Sequence, residues 1–531
     1  MTRNLREQIE FSNGFKDKTE PDGASAKIRQ SLKLLAPHID DPQVLADITE
    51  ESFALGIVPR LSPFDIGCLP PNVKLIEVPS ELEERRKQTR SFDLISWNSP
   101  QAFLQRLRTK DKPFVAPGHG NSSIMNRFIE EQKVVSFENL RIETPSPTSS
   151  RNSRTRNYQT LELEIMGKAR IPLAFGSVPD VGSALAYITM AQANGLVFVS
   201  RDKILSDVKN QTHLIKTVID HLRDVPLPKE LLPNETQLMD FWTIMKKPAH
   251  DFNASSAAKL YEEELRASWI SNVGAAIEAS PKGVKRAMSL YEAGCRMFRI
   301  YSPEGGLEIP KTVAALRDLQ ELKNDKSLKI VAGQIMDENT ALKAEEEGCD
   351  ALIVGVAGGS QCTTSVNADI PVNTPNLLYK LRGKVNVPMG IEGGGVGTHM
   401  MTAFALGASF LCKPGEIGLS LEGAGGTFIF QDNDRRFWML YGGEASDSAK
   451  WWRDSIDALG RPLFVEGETG VRQLSQDQLF MTSNIRRLLE RIAVGLVFQR
   501  INTIAELHAR DCSNIVEVTQ NAAQLSTAYS Q

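Results

Sequence analysis

Cys362 sits in a run whose residue types can do covalent chemistry. The apolar stretch Ala351 to Val356 ends in Gly358-Gly359-Ser360, and Cys362, Thr363 and Thr364 follow two residues later. Glycines at a strand end let the backbone turn sharply and present N–H groups to an anion. A cysteine held there, beside hydroxyls, can be kept as a reactive thiolate. The other five cysteines (68, 295, 349, 412 and 512) show no pairing or CxxC spacing, which suits reduced thiols and a cytoplasmic setting. No zinc-ligand spacing is present, and the seven histidines are dispersed.

A second glycine run, Gly393-Gly394-Gly395, follows the apolar Met389 to Ile391 and Glu392 and precedes a helical pattern from His399 to Leu406. Such a turn can cradle phosphate at a helix N-terminus. Lys413 ends the next apolar run, and its amine could neutralise phosphate as a point charge or simply be solvated.

The elements that must position these groups repeat one design. Ala293-Gly294-Cys295, Glu347-Gly348-Cys349 and Leu406-Gly407-Ala408 each end a helical pattern on glycine and lead into an apolar run. Apolar strands alternating with amphipathic helices imply a parallel sheet covered by helices. Their repetition favours a (β/α)8 barrel, a TIM barrel, with functional loops after the strands. Strands are expected at 171–177, 195–200, 273–277, 297–301, 329–332 and 351–356.

The chain of 531 residues exceeds one ordinary core. Residues 1–133 read as an added N-terminal domain with helical spacing at 24–37 and 42–55, its role a packing or oligomerisation one. Residues 134–202 read as the first part of the barrel, 203–265 as a short helical insert, and 266–531 as the barrel remainder with a C-terminal helix and, by the resemblance described below, a flap. A net charge of -4 and a mean hydropathy of -0.24 describe a globular chain with no global pull toward nucleic acid or membrane. Neither an apolar leader nor a run long enough to span a membrane is present.

Gly359-Ser360-Gln361-Cys362-Thr363-Thr364 resembles the G-S-x-C-T-T loop of the IMP dehydrogenase / GMP reductase family, and the likeness extends from Val134 to Leu507, the insert excluded. It implies Cys362 as nucleophile at C2 of a purine nucleotide, Thr364 placing water, and NAD or NADP taking the hydride. Glu392 replaces the family's ribose-binding Asp, Ser360 and Gly393 to Gly395 match its phosphate contacts, and Lys413 replaces a phosphate-binding Gly-Ser. Tyr441, Gly442 and Gly443 match the Y-x-G-M-G-S segment that closes over the nucleotide. Glu466 matches the purine contact of the E-G-x-E-G flap. Gly359, Cys362 and Glu468 match a monovalent-cation site for K+.

The chain also departs from the family. Val178-Pro179-Asp180 stands at a Met-Asp pair, and Tyr301 at an NAD-contacting Asp. Lys450, with Trp451 and Trp452, stands near the Arg-Tyr pair that activates water, so Lys450 could be a base if burial lowered its pKa. The insert is too short for the family's CBS module. IMP dehydrogenase-like oxidation is therefore the leading expectation. A GMP reductase-like reduction, or a degenerate barrel binding nucleotide without turnover, is the alternative. A homo-oligomer, a tetramer by resemblance, is expected.

Overall fold

A computed structural model of the chain describes residues 23–49, 52–53, 60–109, 113–143, 161–302, 306–356, 362–369, 373–392, 399–455, 457 and 459–518. Eight parallel strands close into a barrel: β1 (Leu173–Phe175), β2 (Leu196–Val199), β3 (Val273–Ile277), β4 (Met297–Tyr301), β5 (Lys329–Ile335), β6 (Ala351–Val354), β7 (Met389–Glu392) and β8 (Ala408–Cys412). They pair in chain order, and β8 returns to β1 through Leu411 opposite Leu173 and Cys412 opposite Ala174. The expected TIM barrel is what the chain forms. Strands buried on both faces read as unbroken apolar runs because helices cover the outside.

The repeated helix-ending glycines have the backbone the pattern requires. Gly294, Gly348 and Gly407 lie at φ 99°, 90° and 116°, conformations that strain any side-chain-bearing residue. Helix starts are set by side-chain caps: Ser183 accepts from the Ala186 N–H, Ser280 from Gly283 and Asp337 from Thr340.

The N-terminal stretch is not packed as a detached unit. Lys74–Glu77 pairs antiparallel with Phe428–Gln431, which continues through Phe437–Leu440 to Val471–Leu474. One four-stranded sheet, called here the flap sheet, thus joins the two ends of the chain. The helix Ser80–Asn98 lies along Met481–Phe498, and its Arg90 bonds Thr189 and Gln192 of a barrel helix. These residues share one hydrophobic core with the barrel. Among the described residues, the apolar faces of the N-terminal stretch expected to form a separate domain up to residue 133 pack on the barrel's helices and on the flap sheet.

The stretch 203–265 is helical, as expected, but its first helix is not an addition. Val208–Asp224 packs between the neighbouring ring helices Ala184–Gln192 and Pro281–Glu292, so it is the ring helix that follows β2. The surplus is Glu235–Ile244 and Ala254–Ile270, the former packed on Pro100–Thr109. The polar segment 144–158 lies outside the described residues.

Candidate active site

Cys362 follows β6, half-buried beneath the far end of the flap. Its Sγ lies 3.3 Å from Thr364 Oγ1. That hydroxyl is 3.5 Å from both the backbone carbonyl and the Oε2 of Glu466. The loop is held by backbone pairing: Thr363 N–H donates to the Glu466 carbonyl at 2.8 Å, and Cys362 forms a bridge with Gly467. Gly467 also bridges to Ser446 on its other side. Three segments far apart in sequence, 362–364, 444–446 and 465–467, are thereby stitched side by side. A thiol, a hydroxyl and a carboxylate in line can pass a proton away from an attacking sulfur and back again.

Glu392 ends β7, and both of its oxygens accept from Arg299 of β4, Oε1 at 3.1 Å from Nη1 and Oε2 from Nη2. Arg299 is fully buried inside the barrel, stacked over Tyr301 at 4.4 Å from the ring centroid. Burial pulls the guanidinium pKa down, and the neighbouring Glu392 carboxylate outweighs it and drives the pKa up. Glu392 approaches β1 closely, and a Cβ at Gly176 would lie 2.6 Å from its Oε1. Sequence reasoning missed Arg299. The available signal was one cation in an otherwise apolar strand, which must meet a buried acid.

Glu444 was missed as well, although it lies inside the quoted nucleotide-closing segment. Its Oε1 accepts from Ser177 Oγ at 2.8 Å. Burial, then the charge of Glu392, pushes its carboxyl up to about 7, opposed by Tyr301, Arg299 and Arg201. Tyr301 stands where a cofactor-binding acid was expected. Its hydroxyl accepts from Gln334 Nε2 at 3.3 Å, and burial raises its own pKa. It offers no carboxylate to a ribose.

Tyr441 is buried with its hydroxyl against the turn after β8, where a Cβ at Gly415 would meet it at 2.6 Å. Gly442 N–H donates to Asp180 Oδ2 at 2.7 Å, and Gly443 N–H to the Glu468 carbonyl at 2.9 Å. Asp180 is used internally, since Lys203 Nζ reaches its Oδ1 at 2.5 Å and Asp65 Oδ1 at 3.3 Å. The Glu468 side chain is exposed, and among the described residues no three His, Cys, Asp or Glu side chains converge on a metal position. The proposed cation role of Glu468 has no support from this geometry.

Two expectations need correction. Lys413 does not face the barrel mouth. Cys412 beside it is in register with Glu392, whose carboxylate meets Arg299 inside the barrel, so strand alternation turns Lys413 outward. There its amine is buried, bonded to Glu416 at 2.7 Å and near Arg491 of the C-terminal helix. Lys450 is half-exposed on the helix Asp447–Trp452 and lacks the burial that base chemistry would require. Trp451 and Trp452 are buried instead, with Lys27 Nζ donating to both their carbonyls at 2.8 and 3.0 Å. Gly359, Ser360 and Gly393 to Gly395, the expected phosphate nest, lie outside the described residues.

Comparison with known proteins bears on the family and the fold of the chain. The chain is 24% identical over 228 residues to inosine-5'-monophosphate dehydrogenase of Cryptosporidium parvum, covering 42% of this chain and 53% of that protein. It is 29% identical over 173 residues to the enzyme of the same name from Toxoplasma gondii, covering 31% and 30%. The chain thus spans about half or less of these curated relatives. A crystal structure of GMP reductase from Trypanosoma brucei in complex with guanosine 5'-monophosphate superposes with a TM-score of 0.55 at 17% identity. It covers 74% of this chain and 97% of that one, a likeness of fold. The IMP dehydrogenase / GMP reductase domain family matches residues 142–529, from the strand before the barrel to beyond its last helix, and the chain belongs to that family.

Proposed function

We propose that the protein is an oxidoreductase of purine nucleotides that works through a covalent bond between Cys362 and C2 of the base. The observation that carries this reading is the line from Cys362 Sγ through Thr364 Oγ1 to Glu466 Oε2, with steps of 3.3 and 3.5 Å. As sulfur adds to C2, the thiol proton passes toward Glu466 and the ring C=N electron pair moves onto nitrogen. Redox at C2 needs a hydride carrier, which in this family is NAD or NADP. Tyr301 does not reproduce the family's acidic contact to it, so the steps assigned to this chain's residues are those on the base. In the oxidative direction Thr364 places a water, Glu466 takes its proton, the C2–O bond forms and the C2–S bond breaks. Glu392, Tyr441, Gly442 and Gly443 hold the nucleotide, with Ser360 and Gly393 to Gly395 at its phosphate.

A second reading runs the chemistry toward a GMP reductase-like deamination. It is favoured by the burial of Trp451 and Trp452 where a water-activating pair was expected. In that direction Glu466 gives a proton to the departing 2-amino group. Mass spectrometry of the protein after exposure to IMP with NAD or NADP, to GMP, and to 2-substituted analogues tests both. An adduct on Cys362 that is absent in Cys362→Ser supports the thiol role, and its absence across the panel sinks both readings. Incubation of the adduct with water or ammonia then separates the directions.

A further inference from the structure

Lys27 reaches the flap from the far end of the chain. It lies on the helix Gly23–Leu35, which is seated in the core by Ile28 and Leu35 and tied to the Leu61 carbonyl by Ser31 Oγ. The Lys27 side chain is 15% exposed, and three acceptors surround its ammonium, one for each N–H. They are the carbonyls of Trp451 and Trp452, at 2.8 and 3.0 Å, and Asp454 Oδ1 at 2.6 Å. The last carbonyls of a helix have no partner within it, and Lys27 supplies donors to two of them at the end of Asp447–Trp452. Its ammonium also lies 5.3 Å from the centroid of the Trp451 ring. Lys27 precedes residues 142–529, the part of the chain that the family model matches.

From that helix end, contacts run on to Cys362. Arg453, the next residue, donates from Nη2 to the Glu444 carbonyl at 3.1 Å and pairs with Asp202 past β2. Glu466 N–H donates to the Ala445 carbonyl at 3.3 Å, and Thr363 N–H to the Glu466 carbonyl at 2.8 Å. The first turn of the same helix is also held from the N-terminal stretch, because Ser448 Oγ donates to Asp65 Oδ2 at 2.5 Å. We propose that Lys27 is a positioning residue of the site: by gripping the end of Asp447–Trp452 it fixes segment 444–446, and through it Glu466, against Cys362. The geometry is sensitive to such a grip. The line from Cys362 Sγ through Thr364 Oγ1 to Glu466 Oε2 has steps of 3.3 and 3.5 Å, at the limit of hydrogen-bond reach, so a small shift of 465–467 breaks it. The N-terminal stretch then sets the flap as well as packing on the barrel. The proposal goes beyond the purine-nucleotide reading, since it holds whichever base reacts at the thiol.

Iodoacetamide labelling of the full chain, read peptide by peptide, together with hydrogen–deuterium exchange, tests this. Lys27→Met keeps the apolar stem and removes the donors. Its Cys362 should be alkylated about tenfold faster than in wild type, the factor that loss of a hydrogen bond to a charged group corresponds to. Amides of 444–455 and 465–470 should exchange faster while those of β8 stay unchanged. Lys27→Arg, which can still donate to both carbonyls, should recover most of the protection. Asp454→Asn should be alkylated within about twofold of wild type, because that carboxylate is 79% exposed and its ion pair contributes little. A wild-type alkylation rate in Lys27→Met overturns the proposal, and so does Lys27→Arg no better protected than Lys27→Met. Exchange that rises evenly over the barrel also overturns it, since a general loss of stability gives that pattern. If Lys27→Met does not fold, the wild-type protein decides. Amides of 23–35 and 447–455 should then open together with one denaturant dependence, and flap amides that exchange while 23–35 stays protected overturn the proposal. Neither measurement needs turnover, so failure here leaves the purine-nucleotide reading standing, and absence of a nucleotide adduct leaves this inference standing.

Discussion

Asp65 and Ser448, 383 positions apart, share a 2.5 Å hydrogen bond from the serine Oγ to Asp65 Oδ2. The same Asp65 accepts from Lys203 Nζ, and Lys203 in turn bonds Asp180, which accepts from the Gly442 N–H of the segment 441–446. The N-terminal stretch therefore reaches the flap through buried ionic contacts, all of them fully or nearly fully shielded from water. An unpaired charge left in such a place is costly, which makes the triad a point of control over flap geometry.

Asp65→Asn should destabilise the protein by about 2 kcal/mol, because Lys203 keeps Asp180 but loses its second counter-charge. Urea denaturation measures this. Alkylation of Cys362 by a thiol reagent in the folded state should also accelerate, since Ser448 loses its anchor below the flap. Unchanged alkylation would separate the triad from the site.

Arg299→Met should cost about 3 kcal/mol or more, because it leaves the Glu392 carboxylate facing the barrel interior alone. Adding Glu392→Met to that variant should recover most of the loss. A double-mutant cycle by denaturation checks it, with additive losses as the contrary result.

Glu466→Gln should lower kcat roughly a hundredfold with little change in nucleotide affinity, as expected for a lost proton carrier. Cys362→Ser should abolish turnover while melting within a few degrees of wild type, since a serine hydroxyl can keep the hydrogen bond that the half-buried thiol shares with Thr364. Steady-state kinetics and thermal melts settle these together.

Acid should destabilise the fold through buried histidines. His508 is fully buried, its Nε2 2.8 Å from the Ala408 carbonyl, and burial lowers its pKa to about 4. His221 and His399 are lowered to about 4 for the same reason. A base whose folded pKa is depressed binds protons mainly when unfolded. Its contribution is complete above the unfolded value of about 6.5 and is lost as pH falls toward 4. His508 alone accounts for about 3 kcal/mol over that window. Denaturation at pH 5 and pH 7.5 should show this drop, and His508→Gln should flatten it.

The barrel was legible because its signals are local. Apolar runs such as Ala351–Val354 and the glycines at 294, 348 and 407 report strand burial and helix ends within a few residues. Cys362 was legible as a candidate nucleophile for the same reason. What sequence did not disclose depends on distant partners. Lys74–Glu77 has too short a pattern to announce a strand, and its pairing with Phe428–Gln431 spans most of the chain. Lys413 looked available because its outward turn is a matter of strand alternation against Cys412, and its Glu416 partner only matters once the helix forms. Arg299 and Glu444 acquire meaning from Glu392, which neither neighbours in sequence. Lys450 was placed by resemblance, and the half-exposed helix it sits on removes the burial that role needed.

The flap sheet also sets an order of events during synthesis. Lys74–Glu77 leaves the ribosome more than three hundred residues before Phe428–Gln431, the strand it must pair with. At roughly 5–20 residues per second, the early strand waits some tens of seconds with its backbone groups unpaired. Its alternation of charge and apolar side chain, Lys74-Leu75-Ile76-Glu77, discourages pairing with a neighbouring nascent chain. The eight barrel strands emerge in that interval, whereas the helix Met481–Phe498 that packs on the barrel is made after Phe428–Gln431.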